Sequence, residues 1–320
     1  MRILKPKAYL DAAAAVARNF FAGESIFPFY ASLKLTAKCH FGCPFCNMHT
    51  HSQENELSTN EIIKILNNLS NSPVLMTSFE GGEPLLRADV GELLEYARKK
   101  CNFYLLFTSS AKNILDYPMQ KYCENIDFLH ISIDEGHNNL EMFEILGELG
   151  KFKSELSVQI VVTRDTLESL EEKVRKCFAA KANCVVIPAS QMEGAKKKSF
   201  PDMDKFERKI RELKQKYPAT IHTPLGYFSA YKKAKCSPAS VIIAPNGKLF
   251  YPCNILGDFG CDLTKTSINE WLVCDEAKAA REKMKNCGIN CGWYQYYSID
   301  SYLSFSTIGE ALSPVFVRKL

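Results

Sequence analysis

The sequence predicts an α/β fold, a partial (β/α)6 barrel of the TIM type followed by a small cysteine-rich extension. Three observations predict it. Apolar runs of strand length recur at about 29–36, 73–79, 102–108, 127–133, 155–163 and 184–188. The segments between them carry helix start signals and one-sided apolar patterns, so each crossover returns the chain to the same end of the sheet and the sheet is parallel. Six such units between residue 29 and about 218 fill three quarters of a closed eight-unit barrel.

In chain order, residues 8–22 read as a helix with Leu10, Ala13, Ala14, Ala17, Phe20 and Phe21 on the face expected to pack on the domain exterior. Its polar side carries few cations, which argues against a membrane-surface helix. Tyr30-Ala31-Ser32-Leu33-Lys34-Leu35 alternates as the first strand. Ser58-Thr59-Asn60-Glu61 is a capping box for a helix bearing Ile62, Leu66 and Leu69. Asp165 or Thr166 is placed to cap a helix bearing Leu167, Leu170, Val174 and Phe178, and Asp202 one bearing Met203, Phe206, Ile210 and Leu213. The loop at 189–201, with Lys196, Lys197 and Lys198, reads as a solvated turn.

After residue 225 the pattern changes. Cys236 to Cys291 holds six of the thirteen cysteines, a strand–turn–strand signal around Pro245-Asn246-Gly247, and one helix at roughly 267–284. That segment is short for a core of its own, and cysteine ligation substitutes for part of the missing burial. The tail from Trp293, with Tyr294, Tyr296, Tyr297, Tyr302 and Phe305, is aromatic enough to pack back on the barrel. The expected divisions are therefore 1–28, a helical lead; 29–225, the barrel; 226–292, the extension; and 293–320, the tail.

Composition narrows the function classes. Apolar content of 46% and charged content of 24% are those of an ordinary globule, neither disordered nor membrane-embedded. The net charge of +4 comes without a basic patch interleaved with aromatics, so nucleic acid is not an expected partner. Asp11 and Arg18 confine the apolar run Ala12 to Ala17 to six residues, too short for a signal peptide core or a transmembrane span. Thirteen cysteines without a signal peptide favour metal or cluster ligation in a reducing compartment, the cytoplasm, over a disulfide framework.

The chemistry concentrates in Lys38-Cys39-His40-Phe41-Gly42-Cys43-Pro44-Phe45-Cys46-Asn47, directly after the first strand. Loops at the carboxyl ends of parallel strands are where such folds keep their active sites. Three closely spaced thiolates hold a metal or an iron–sulfur cluster while leaving one coordination position open, whereas four would close it. Gly81-Gly82-Glu83-Pro84 follows the second strand, so it should leave the same end of the sheet. A zinc reading is weakened by the spacing, since His49 and His51 follow too closely for a two-cysteine, two-histidine finger and no second C-x2-C is near.

Cys39, Cys43 and Cys46 in C-x3-C-x2-C order, together with Gly81-Gly82-Glu83-Pro84, resemble the radical S-adenosylmethionine (SAM) superfamily. The resemblance implies that the three thiolates bind a [4Fe-4S] cluster whose fourth iron is chelated by the amino and carboxylate groups of SAM. It also implies that one electron cleaves the sulfonium to methionine and a 5′-deoxyadenosyl radical. Phe45 resembles the aromatic set against adenine, and Gly81 and Gly82 the glycines whose carbonyls meet the methionyl ammonium, with Glu83 and Pro84 completing the motif. Ser109, in Thr108-Ser109-Ser110, stands where a Thr-Asn-Gly-like turn is common. Ser132 and Asp134 resemble a Ser-x-Asp segment that reaches the ribose or carboxylate. Arg164 is placed to pair with that carboxylate, and Ile187 ends the sixth strand where backbone meets adenine.

The run from Cys236-Ser237-Pro238 through Pro245-Asn246-Gly247 to Cys253, then Gly257-Asp258, Thr266 to Trp271, and Cys287-x3-Cys291-Gly292-Trp293, resembles the auxiliary-cluster extensions called SPASM or twitch domains. The full SPASM pattern has seven cysteines, so the resemblance implies one auxiliary [4Fe-4S] cluster on Cys236, Cys253, Cys287 and Cys291, with no open iron. Cys261 and Cys274 are candidate substitutes within that set, Cys274 inside the expected helix. Four cysteines of this kind also suit a structural zinc. The implied partners are an electron donor such as ferredoxin or flavodoxin and a small-molecule, lipid or peptide substrate. The alternative function is a metal-binding scaffold or redox sensor that does not cleave SAM. Among substrates, the 28 residues ahead of the first strand leave little room for a peptide-leader module, while the apolar first helix points toward a lipid or isoprenoid.

Overall fold

The computed structural model describes residues 2–48, 56–189, 199–232, 236–253, 255–256, 259–289 and 291–293. His49, His51, Lys196 to Lys198, Gly257-Asp258 and the aromatic tail beyond Trp293 lie outside the described residues.

Six parallel strands carry the fold: β1 (Tyr30–Thr36), β2 (Met76–Gly81), β3 (Tyr104–Ser109), β4 (Phe128–Ser132), β5 (Glu155–Val162) and β6 (Asn183–Pro188). Each lies within three residues of its sequence-predicted position at both ends. Leu33, Phe79, Phe107, Leu129, Ile131, Val158, Ile160 and Val186 are all at or below 1% exposure and face the surrounding helices. Among those helices are α2 (Thr59–Ser70), α3 (Val90–Lys100), α6 (Leu170–Ala179) and α7 (Met203–Lys216), with the short α4 (Met119–Cys123) and α5 (Leu146–Leu149) between α3 and α6. Strand residues alternate faces, so the intervening positions point into the barrel.

Two caps formed as read. Ser58 and Glu61 make the reciprocal capping box of α2. Asp202 accepts from the backbone N–H groups of Asp204 and Lys205 at 3.0 and 3.1 Å at the start of α7. Asp202→Ala is therefore expected to lower stability by about 1 kcal/mol, read as a lower urea midpoint at unchanged slope; an unchanged midpoint contradicts the cap.

Three readings are corrected. The helix α1 (Pro6–Ala22) buries Ala8, Ala12, Ala15 and Asn19, while Leu10, Phe20 and Phe21 are 69%, 78% and 86% exposed. Small alanines let the helix approach closely, and Asn19 holds the following turn. Its Nδ2 donates to the Phe27 carbonyl at 2.9 Å, and its Oδ1 accepts from the Ile26 and Phe27 N–H groups. Second, the segment before α6 starts with a 3-10 turn, Arg164–Thr166, capped by Thr163; Phe178 is half exposed while Lys173 is buried on Glu135 at 2.6 Å.

Third, the expected helix at 267–284 is two, α9 (Ile268–Trp271) and α10 (Asp275–Lys285), and Cys274 is the N-cap of α10 rather than a residue inside it. The extension continues the barrel sheet. After α8 (Gly226–Lys232), β7 (Ser240–Ile243) pairs in parallel with β1, then β8 (Lys248–Phe250) and β9 (Phe259–Asp262) follow antiparallel, giving the order β6-β5-β4-β3-β2-β1-β7-β8-β9. Among the described residues no helix is long and apolar enough to cross a membrane.

The chain's start closes the amino-terminal end of the barrel. Arg2 pairs with Asp127 just before β4 and donates to the carbonyls of Arg98 and Phe103, while the Lys5 N–H donates to Asn102 at 2.8 Å. The helix α1 is thus anchored at the end of the sheet opposite the cysteine loop.

Candidate functional site

The loop after β1 and the loop after β2 are clasped together by backbone. The Gly82 N–H donates to the Thr36 carbonyl at 2.7 Å and the Glu83 N–H to the Lys38 carbonyl at 2.8 Å. A Cβ on Gly82 would stand 2.0 Å from the Lys38 carbonyl oxygen, and one on Gly81, where φ is +145°, would stand 2.4 Å from that of Thr36. Both positions demand glycine, because side-chain carbon cannot occupy the gap and a positive φ is strained for other residues. The sequence motif thus fixes the distance between the cysteine loop and its neighbour.

Glu83 is fully buried. Its carboxylate accepts from the Ser109 hydroxyl at 2.9 Å, the Ser110 N–H at 2.9 Å and the Leu85 N–H at 3.1 Å. Burial pushes its pKa up, and the hydrogen bonds pull against that rise without cancelling it. Asn139 continues the belt by donating to the Ser110 and Ser132 carbonyls at 3.0 and 2.8 Å and accepting from the Asp134 N–H at 3.2 Å. Asp134 in turn accepts from the His137 N–H and the Val161 N–H and contacts His137 Nδ1 at 2.8 Å. The rims of β2, β3, β4 and β5 are therefore joined by one buried polar chain. Glu83 and Asp134, both expected to meet cofactor, are directed to this belt, whose satisfied donors rigidify the rim.

Phe45 sits inside the resulting bowl. It packs edge-on to His137, 5.5 Å between ring centres, and clusters with Cys43, Val161 and Ala189, with Cys46 and Ile187 alongside. A Cβ on Gly136 would stand 2.2 Å from the Phe45 ring, so this glycine admits the aromatic. The sequence reading missed Gly136, His137 and Asn139; the only local signal was an Asp followed three residues later by His, and nothing in it told rim from surface. Arg164 is exposed, with no ion pair among the described residues. Pro84 opens a 3-10 turn, Pro84–Leu86, and is buried beneath the rim.

The three thiols of the loop lie within electrostatic reach of one another. Burial pushes Cys43 up to about 12, with the proximity of Cys46, Asp134 and Cys39 adding to the shift. Burial also raises Cys39, with Glu83 and Cys46 contributing to the rise.

A second group forms where β7, β8 and α10 meet. Cys236 is pushed up to about 12 by burial, then by Cys291, Cys253 and Cys287, so the four expected cysteines are brought together. Cys253 packs with Ile242 and Met284, and Cys236, Phe250 and Trp293 lie against that apolar patch. Cys261 has Asp262, Cys274 and Glu276 as electrostatic neighbours, and both Cys261 and Cys274 pack on the main core.

Both donor sets suit an iron–sulfur cluster. They are soft thiols, buried among apolar side chains, three on one loop and four across a fold. Among the described residues no three His, Cys, Asp or Glu side chains converge tightly enough to chelate a single ion.

Comparison with known proteins agrees with this architecture. Residues 33–188 match the family model described as the radical SAM superfamily. Among solved structures, SuiB of Streptococcus suis bound to the precursor peptide SuiA superposes with a TM-score of 0.66 at 16% identity, over 89% of this chain and 74% of that one. SuiB bound to S-adenosylmethionine gives 0.65 at 17%, over 96% and 82%. The protein anSMEcpe, with bound AdoMet and Cp18Cys peptide, gives 0.64 at 15%, over 91% and 97%. At such identities the likeness is one of fold.

Proposed function

We propose, for a chain whose residues 33–188 belong to the radical SAM superfamily, that Cys39, Cys43 and Cys46 hold a [4Fe-4S] cluster with one open iron for SAM. The observation that carries this reading is the clasp of Gly82 and Glu83 on the cysteine loop, at distances that forbid any side chain at Gly82. When bound and reduced, the cluster supplies the electron that splits the SAM sulfonium into methionine and a 5′-deoxyadenosyl radical.

The chain's own groups do the rest. Backbone carbonyls of Gly81 and Gly82 accept from the methionyl ammonium, which has three donors to satisfy. Arg164, exposed beside the rim, pairs with the methionyl carboxylate. Phe45 and Ile187, packed together through one apolar cluster, provide an adenine wall, and Ser132 and Ser109 shape the ribose side. Glu83 and Asp134 position these groups through the rim belt instead of touching SAM.

Cys236, Cys253, Cys287 and Cys291 hold a second [4Fe-4S] cluster with every iron ligated by the protein, suited to electron transfer. The external electron comes from a donor such as ferredoxin or flavodoxin. A peptide is the substrate class that the similar structures favour, since SuiB and anSMEcpe are each seen with one. The lipid reading loses its support, because α1 is anchored at the opposite end of the barrel.

Anaerobic reconstitution followed by iron determination tests the pair of sites. The full chain should hold about eight irons, and Cys236→Ser/Cys253→Ser about four. A double variant that keeps the full complement would remove the second cluster from the proposal.

A further inference from the structure

Helix α1 carries a second apolar face, turned to solvent. Directly opposite buried Ala8, Ala12, Ala15 and Asn19 stand Leu10, Ala13, Ala14, Ala17, Phe20 and Phe21, all exposed. At 3.6 residues per turn these six share an arc of about 120°. No polar residue of α1 falls within it. A helix on the surface of a globule ordinarily turns charge outward, as α7 does with Asp204, Arg208 and Arg211. The four most exposed large apolar residues among the described residues are Ile3, at 90%, then Phe21, Phe20 and Leu10, so all belong to this one segment. Concentration of that kind marks an interaction surface, whereas scattered exposure would not.

Cations border the stripe. Lys7 and Arg18 flank the arc, Lys5 stands at the start of the helix, and Asp11, the one acid of α1, pairs with Lys7. Few cations lie on α1 itself, which is the ground for expecting no membrane-surface helix, but the fold supplies more from α3. Arg2 donates to the Arg98 carbonyl and the Lys5 N–H to Asn102, so Lys99 and Lys100 end beside the start of α1. Glu95 pairs with Lys99, while Lys5, Arg18 and Lys100 are exposed with no ion pair among the described residues. A second copy of the chain would set this positive margin against its own likeness. A bilayer of anionic lipid meets both features, since apolar side chains enter the acyl boundary while cations reach the headgroups.

We infer that the outer face of α1 docks the protein on the surface of an anionic lipid bilayer. The helix lies flat at headgroup depth with Leu10, Phe20 and Phe21 in the acyl boundary, and Lys5, Lys7, Arg18 and Lys100 against the phosphates. Because the start of α1 is fixed at the end of the barrel opposite the cysteine loop, the docked chain turns that loop away from the lipid. The helix therefore sets where the protein works and leaves the choice of substrate to the other end.

Anaerobic flotation of the reconstituted full chain tests this, with vesicles of phosphatidylcholine alone or with about 30% phosphatidylglycerol. Binding to the mixed vesicles should exceed binding to phosphatidylcholine by at least about tenfold at low salt and fall by at least about fivefold in ~0.5 M sodium chloride. Phe20→Ser/Phe21→Ser should lower binding to the mixed vesicles by at least about tenfold, and Leu10→Ser by at least about threefold. Lys5→Gln/Lys100→Gln should reduce the preference for phosphatidylglycerol by about fivefold. The two stripe variants change exposed positions at opposite ends of the helix, so one that disturbed folding would leave the other to decide. Failure of the wild type to float with mixed vesicles, equal binding to both lipids, or undiminished binding by both stripe variants overturns the inference. A wild-type dimer that Phe20→Ser/Phe21→Ser abolishes, with no protein on the vesicles, overturns it in favour of a second copy.

Discussion

Cys43→Ala protein, reconstituted anaerobically, should retain about four irons per chain and form no 5′-deoxyadenosine from SAM. Cys43 is the most enclosed thiol of its loop, packed with Phe45 and Val161 and within electrostatic reach of both Cys39 and Cys46. Two remaining thiolates cannot hold a cluster that needs three, while Cys236 and Cys253 lie in a different apolar cluster, with Cys287 and Cys291 as electrostatic neighbours of Cys236, and are untouched. Iron analysis and chromatography of the nucleoside products check the two halves separately. Deoxyadenosine at the wild-type rate would show that the loop is not the site of SAM cleavage. The variant's remaining irons, absent from a protein that also lacks Cys236 and Cys253, would identify their location.

Gly82→Ala should weaken SAM binding by at least about tenfold and destabilise the fold by about 2 kcal/mol. Its methyl group would lie 2.0 Å from the Lys38 carbonyl oxygen and 2.9 Å from that of Ala37, both backbone atoms that cannot rotate away. Relief requires the two loops to part, which breaks the Gly82 to Thr36 and Glu83 to Lys38 hydrogen bonds. Equilibrium binding of SAM to the reconstituted variant, with iron content measured in parallel, separates loss of the ligand site from loss of the cluster. Binding within twofold of wild type would mean that the clasp does not set the site.

Much of the barrel was legible because its signals are local. Strand alternation, the Ser58–Glu61 box and the Asp202 cap each involve residues a few positions apart, and each formed. What stayed hidden depends on long-range pairing. Ser240 to Ile243 reads locally as half of a hairpin with Lys248 to Phe250, which it is, but its parallel pairing with Tyr30 to Leu33 spans some 200 residues and leaves no mark in either segment. Periodicity showed α1 to be apolar on one face; it did not show that Asn19, from the other face, would be drawn inward to satisfy the turn at Ile26 and Phe27.

The candidate site divides in the same way. The three loop cysteines and the two glycines follow from spacing and chemistry, and the structure brings their loops together. Glu83 and Asp134 are functional-looking carboxylates whose partners, Ser109, Ser110, His137 and Val161, come mostly from other loops.

The most direct test of the whole account is product analysis of the reconstituted wild-type chain incubated anaerobically with SAM and dithionite. The account predicts 5′-deoxyadenosine and methionine in equal amounts, with neither formed when reductant is omitted. A fully iron-loaded protein that leaves SAM intact under these conditions would contradict it and return the chain to a metal-binding scaffold or redox sensor.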